Sequence, residues 1–389
     1  MNVSIHGSLL KRESILNNPS LSLSSVSTSD IDTAENELNS LSKDSNLSFV
    51  LEKQKEAVKA VSPRNTETDI SNALLGSIND AALELDILNG WTEGGKSMFS
   101  SMISGMLDSI SKDGIIGIEL EDTLQLILLE VMVNSEQYGL SEWINKPDVT
   151  SCIQHLLESV GSASHGLHEP PWNNSENIAK GAEYLLTSLL ENVKILDGTL
   201  LSKLLSTSKL DSEEGRNKLF SQIKDKYHDG EGWLIYNKAQ QNNTSKATQL
   251  SPLLTLMIAS DLLKEKPDIS RSDMESILSR DISRIESLMQ SIIKKNTISE
   301  WINTNPKWQI QVEGAGDDGG HGGQLDWIGN GLNINDLVNI YNNFPSRILS
   351  DEDIKDINRI GDNVKMIMQT LKYWFQILRD ERVAIARNI

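Results

Sequence analysis

The side chains best suited to chemistry fall in two short stretches of this sequence. Cys152, His155, His165 and His168 form the first. Imidazole and thiolate are the usual ligands of zinc, so metal binding is the chemistry such a grouping could support. The spacing does not fix a geometry, because His165 and His168 open a loop, 165–174, that Pro170-Pro171 keeps out of helix. The expectation from sequence is a solvated loop. Cys152 is the single cysteine, so the chain has no intramolecular disulfide, and it reads as a small buried hydrophobe.

The second stretch is the Gly-rich segment 314–323, with Asp317, Asp318 and His321 inside it. It lacks the regular oxygen spacing of a calcium loop. No Lys-Ser/Thr follows it, so it is not a phosphate cradle. P-loop, GxGxxG, GxSxG and HExxH patterns are absent from the chain. Neighbouring carboxylates identify nothing in a sequence with 55 acidic residues. The sequence therefore predicts no catalytic residue, no metal site and no cofactor, and a protein that is not an enzyme.

The elements that would position such residues are helices. Apolar residues recur at steps of three and four over 69–88 (Ile70, Leu74, Ile78, Ala81, Leu85, Leu88) and over 97–110 (Met98, Met102, Met106, Ile110). Further helices are predicted over 120–138, from Ser175 to about 196, and over 211–227, 248–264, 270–295 and 333–342. Trp308, Ile310 and Val312 alternate with glutamines, which is strand spacing. The fold class expected is mainly α, with helical hairpins or a bundle, a long C-terminal coiled-coil helix and a small irregular or β insertion near 305–332. The expected division is an unstructured Ser-rich segment 1–30, an N-terminal helical domain 31–165 and a C-terminal helical domain 166–389.

The net charge of −19 repels phosphate backbones and argues against a nucleic-acid partner. The richest apolar run, 124–133, is interrupted by Gln125 and Glu130 and is too short to span a bilayer. It reads as a buried helix. The first residues lack the pattern of a cleaved signal peptide.

The last forty residues carry the clearest pattern. Ile357, Ile360, Val364, Ile367, Leu371, Trp374 and Leu378 are spaced alternately by three and four, a heptad seam. Ser350 is a good N-cap with Asp353 three residues on. Tyr373, Trp374, Phe375 and Ile377 cannot share one stripe, so either the helix is central in its own domain or its second apolar face meets a partner chain, with Phe375 joining the seam residues as the candidate contact. Ser141-Glu-Trp-Ile-Asn145 recurs as Ser299-Glu-Trp-Ile-Asn303, each copy after a long helix and before a proline. Two equivalent helix ends with a Trp closing the core, or an internal duplication, would explain it.

The order from Ile298-Ser-Glu-Trp-Ile-Asn through Trp308–Val312 and Gly331-Leu-Asn-Ile-Asn-Asp-Leu337 to the heptad helix resembles secreted type III secretion proteins of the EspA/SseB filament kind. The acidic, cysteine-poor, helix-rich chain is also similar to hydrophilic needle-tip proteins of the IpaD/SipD kind. Only the heptad seam carries over residue by residue. The resemblance implies a structural or translocon-associated component acting through helix-mediated assembly. It also implies a cytoplasmic stage with a secretion chaperone, secretion without a cleaved signal, and contacts with needle or translocon proteins or with itself. The alternatives are a delivered effector with a cryptic site, first sought around His155, His165 and His168, and a cytosolic gatekeeper.

Overall fold

The computed structural model describes residues 28–41, 46–60, 66–194, 198–234, 246–311 and 324–387. Nearly all of the expected export segment 1–30, the linker 240–245 and the Gly-rich stretch 314–323 lie outside the described residues. The fold is mainly α with one small β insertion, as the periodicity implies. The first elements are α1 (Thr28–Asn39), α2 (Leu47–Ala60), α3 (Thr66–Glu93), α4 (Gly95–Ser111), α5 (Ile118–Val133), α6 (Ser141–Ile144) and α7 (Pro147–Ser159). Next come α8 (Ser175–Asn192), α9 (Leu200–Ser208), α10 (Glu213–Lys226), α11 (Pro252–Glu265), α12 (Arg271–Leu278), α13 (Ile282–Ile292) and α14 (Ile298–Thr304). The strands β1 (Trp308–Ile310) and β2 (Leu325–Trp327) pair antiparallel, Trp308 opposite Trp327. Helices α15 (Ile334–Asn342) and α16 (Asp351–Arg387) complete the chain.

Contacts divide the chain into two compact units, residues 1–80 with 363–389, and residues 81–362. The sequence boundary at 165/166 falls inside the second. The reason is long-range packing across it: α5 meets α9, α10 and α11, and α7 meets β2.

The first unit contains α1, α2, the start of α3 and the later part of α16. Ile31, Ala34 and Leu38 are buried on α1 at helical spacing, as are Leu51 and Val58 on α2 and Leu74 and Ile78 on α3. Ile70, expected on the same face, is exposed. On α16, Val364, Ile367, Leu371, Trp374, Phe375 and Leu378 are all buried. Arg379 pairs with Asp32 at 3.0 Å and with Glu35. The Gln54 Nε2 amide donates to the Val364 carbonyl at 2.9 Å. The ridge is thus covered by its own chain.

In the second unit α5 is central. Of its residues only Glu119 is not buried, and it meets α4, α7, α9, α10, α11 and α15. Gly117 precedes it at positive φ, and Glu119 and Glu121 sit in the first turn, where the helix dipole favours anions. The helix ends at Val133, short of the expected Tyr138, and Asn134 closes it. The start of α16 lies here too, with Ile360 buried and Ile357 half-buried. The expected cap is present: Ser350 N and Oγ donate to Asp353 Oδ2 at 2.7 and 2.6 Å, and Asp353 N donates back to Ser350 Oγ at 3.3 Å.

One predicted helix is two. The stretch 270–295 breaks between α12 and α13, where Arg280 takes a positive φ of 61°. Asp281 then caps α13 by accepting from Arg284 N at 2.9 Å. The two copies of the Ser-Glu-Trp-Ile-Asn repeat form the short helix α6 and much of α14. In each the tryptophan is buried, and its indole N–H donates to a neighbouring helix: Trp143 to Ser188 Oγ at 2.8 Å and Trp301 to Asp261 Oδ2 at 3.0 Å.

Candidate functional site

The second unit buries charge. Helix α5 carries Glu121, Asp122 and Gln125 toward the loop 160–168, every residue of which is itself buried. An isolated charge in such a place is costly unless paired and hydrogen-bonded. Asp122 meets this demand fully. Its carboxylate accepts from Ser162 N at 2.8 Å and Ser162 Oγ at 2.6 Å, and it pairs with Arg280 Nη1 at 2.6 Å. The helix break at Arg280 delivers that guanidinium. Gln125 donates to the Leu157 and Val160 carbonyls at 3.0 and 2.6 Å and accepts from Leu253 N at 3.2 Å.

His165 sits beside this row. Its Nδ1 lies 2.9 Å from the Tyr227 carbonyl, so that nitrogen carries a proton. Its Nε2 lies 2.7 Å from Glu121 Oε2, with a single proton between them. The ring stacks on Tyr227 at 3.9 Å between centroids. The Tyr227 hydroxyl donates to the Ser159 carbonyl at 2.6 Å, and burial raises its pKa well above 10. Gly232 is required by contact: a Cβ there would stand 2.0 Å from His165 Nδ1. His165 also forms part of the wall of a cavity of about 520 Å³, with Gln222, Lys226, His228, Glu231 and Lys246.

A second cluster lies at the other end of the same loop. Glu158 on α7, His168 in the loop and Asp326 on β2 are 1%, 4% and 8% exposed. One donor atom from each lies within 4.8 Å of the others. Strand β2 is brought there by backbone and amide hydrogen bonds. Gln324 Nε2 donates to the Leu167 carbonyl at 2.6 Å, and Leu167 N donates to Gln324 Oε1 at 2.9 Å. Trp327 N donates to Glu158 Oε1 at 2.6 Å, and Gln309 Nε2 donates to Asp326 Oδ2 at 2.5 Å. His168 Nδ1 stands 3.5 Å from Asp326 Oδ1, and its Nε2 is buried without a hydrogen-bond partner.

Burial pushes the Glu158 carboxyl up to about 8. Burial opposes charge on His168, but the Glu158 and Asp326 carboxyls outweigh it and raise that pKa. For Asp326, burial is outweighed by hydrogen bonds from His168 and the glutamines, which hold its carboxyl below the usual range. His155, one turn before Glu158, stacks on Trp172 at 5.0 Å between centroids. Burial lowers its pKa to about 4, so it is a neutral imidazole at pH 7, and its Nδ1 has no partner.

The chain matches no protein-family model, no curated protein and no solved structure. The site is therefore read from its own geometry.

The loop histidines overturn the solvated-loop expectation: His165 and His168 are buried, because β2 and the turn at 231–233 cover the loop, and His155, on α7, is buried against Trp172. Cys152 is half-buried, and burial pushes its thiol up to about 11, which disfavours the thiolate at pH 7. Asp317, Asp318 and His321 lie outside the described residues. Among the seam residues, Ile360, Val364, Ile367, Leu371, Trp374, Phe375 and Leu378 are buried and Ile357 is half-buried. Val364 to Leu378 belong to the packing ridge of the first unit, and Ile357 and Ile360 to the second.

Sequence reasoning missed Glu121, Asp122, Glu158, Arg280 and Asp326. One signal was present. Gly161-Ser-Ala-Ser-His-Gly166 surrounds a histidine with small residues, the composition of a loop packed closely on its neighbours. Gly161 has a φ of 98°, and a Cβ there would stand 2.9 Å from Asp122 Oδ1.

Proposed function

We propose that this chain is a structural or translocon-associated component of a type III secretion system, acting through helix-mediated assembly. The observation that carries the reading is the two-sided character of α16. Its ridge from Val364 to Leu378 is buried in the unit that also holds α1 and α2. Met366 and Tyr373, seven residues apart on the helix, stand 59% and 70% exposed. Residues at that spacing share a face, so the helix offers a second apolar edge to a helical partner of the apparatus. No described helix is long and apolar enough to cross a membrane, and the reading needs none. In this reading the protein waits in the cytoplasm with a secretion chaperone, leaves by way of its first thirty residues, and meets needle or translocon proteins or its own copies outside.

The delivered-effector alternative looks to the cavity beside His165. Both ring nitrogens of His165 are occupied, one by a carbonyl and one by Glu121, so that imidazole is committed to holding the fold. This weighs toward assembly.

Two measurements test the reading. Residues 1–30 fused to a reporter are expected to be exported through the needle apparatus, and retention of the reporter in the cytosol sinks it. The double substitution M366E/Y373E is expected to leave circular dichroism unchanged while abolishing co-sedimentation with needle or translocon proteins. Undiminished co-sedimentation would remove α16 as the contact.

A further inference from the structure

We propose that Glu158, His168 and Asp326 are the ligand set of a single divalent zinc ion that ties α7, the loop 160–168 and strand β2 together. The ligand chemistry is that of zinc, one imidazole nitrogen with carboxylate oxygens. Three donor atoms within 4.8 Å of one another can all be reached from a common centre no more than about 2.8 Å away. A shift of under an ångström brings them to bonding range. The separation between His168 Nδ1 and Asp326 Oδ1, 3.5 Å, is long for a hydrogen bond. It is close to the roughly 3.3 Å that separates two ligands on a tetrahedral zinc ion.

The two carboxylates are supported as metal ligands usually are. Each carboxylate has one oxygen fixed by an N–H donor, Glu158 Oε1 by Trp327 N and Asp326 Oδ2 by Gln309 Nε2. The two carboxyls also lie within hydrogen-bond reach of each other, so an ion here would take the place of the proton between them, while the N–H donors set their direction, as outer-shell partners of metal ligands do. The imidazole of His168, 4% exposed, would bind through Nδ1, the nitrogen that faces Asp326; its Nε2 is buried without a partner and would carry the ring proton. Charge also balances: two carboxylates, a neutral imidazole and a dication sum to zero, which suits a closed site. His155 stands alongside, its ring centroid 6.4 Å from that of His168, and is the nearest further imidazole. The rival occupant is a proton shared between Glu158 and Asp326 with His168 charged, which also leaves the cluster nearly neutral. The zinc proposal does not rest on the secretion reading, and its failure would leave that reading standing.

The experiment uses the full chain, stripped with chelator and dialysed against Zn²⁺ alone, with metal content measured per chain and affinity by calorimetry. Co²⁺ replaces Zn²⁺ for a visible spectrum of the ligand field. One tight Zn²⁺ per chain is expected, with a higher Tm when loaded and a tetrahedral Co²⁺ spectrum. H168Q and D326N are expected to lose at least 100-fold in affinity. E158Q keeps an acceptor for Trp327 N–H, so it guards against misfolding, and it is expected to lose affinity with its circular dichroism intact. Less than one tightly bound ion in the wild type overturns the proposal. So does a tightly bound ion whose affinity H168Q, D326N and E158Q all leave unchanged, since that ion would sit elsewhere.

Discussion

The two compact units solve the same problem, a stable helical core, by different means. Among the described residues of the first, the buried polar side chains are Gln54 and Ser71, and the rest of the core is Leu, Ile, Val, Ala, Trp and Phe at helical spacing. The second buries Glu121, Asp122, Glu130, Glu158, Asp326 and Asp353 together with Arg280, Arg347 and three histidines. An apolar ridge tolerates many sequences of similar volume. A buried ion pair tolerates almost none one partner at a time, because each charge depends on the other for compensation. The second unit is therefore the one in which single polar substitutions should be felt most, and the first the one in which cavities should be.

The largest expected effect is at Arg280. Removing it leaves Asp122 buried with its charge uncompensated, so R280A is expected to cost about 3–5 kcal/mol in urea unfolding. Replacing both partners with apolar residues, R280M/D122L, should recover much of that loss, though Ser162 then lacks its acceptor. A cost below about 1 kcal/mol for R280A would break the contrast between the units. The counterpart in the first unit is L371A, a fully buried truncation on the α16 ridge, expected to cost about 2–5 kcal/mol through cavity formation. If L371A is silent, the ridge does not support its unit.

These two substitutions also mark what could be read from sequence. Leu371 lies in a heptad whose period is visible in any window, so its burial follows from spacing alone, as does the Ser350–Asp353 cap. Arg280 is 158 residues from its partner and interrupts a helical pattern at a position where a charge reads as solvated surface. The same holds for the triad: Glu158 and Asp326 are separated by most of the second unit and meet only because Gln324 and Trp327 dock β2 on α7 and the loop. Local period reports which face of an element is apolar. It is silent on which buried charge meets which, and the candidate site consists of such meetings.

A pH measurement sharpens the contrast further. Burial raises the pKa of Glu130 on α5, against the hydrogen bond that Tyr138 donates to it at 2.6 Å. The folded carboxyl therefore holds its proton more tightly than the unfolded one. As pH rises above the unfolded value near 4.5, the unfolded chain releases that proton first, and this group's contribution to stability declines. E130Q removes the titration and keeps an acceptor for Tyr138. Its stability relative to wild type is expected to grow between pH 4 and pH 7, followed as Tm against pH. A flat difference would mean that Glu130 ionises in place.

The finest distinction is between two buried glutamines. Gln125 spends both ends of its amide, donating to the Leu157 and Val160 carbonyls and accepting from Leu253 N. Q125L leaves the Leu157 carbonyl and the Leu253 N–H without the partner Gln125 gave them, while the Val160 carbonyl keeps Ser164 Oγ at 2.7 Å; at about 1–3 kcal/mol for each unsatisfied group the cost is about 2 kcal/mol or more. Gln54 in the first unit makes one bond, to the Val364 carbonyl, which as a helix-interior carbonyl already accepts within its own helix, and its Oε1 is buried without a partner. Q54L removes that unsatisfied acceptor, retains the volume and adds apolar surface to an apolar core. Its effect on urea unfolding is expected to lie within about 0.5 kcal/mol of zero. The pair uses one substitution in two settings, so side-chain volume and helix propensity nearly cancel in the comparison. A Q54L cost equal to that of Q125L would mean that the first unit also depends on a specific polar contact, and the division of labour between the units would fail at its most closely matched point.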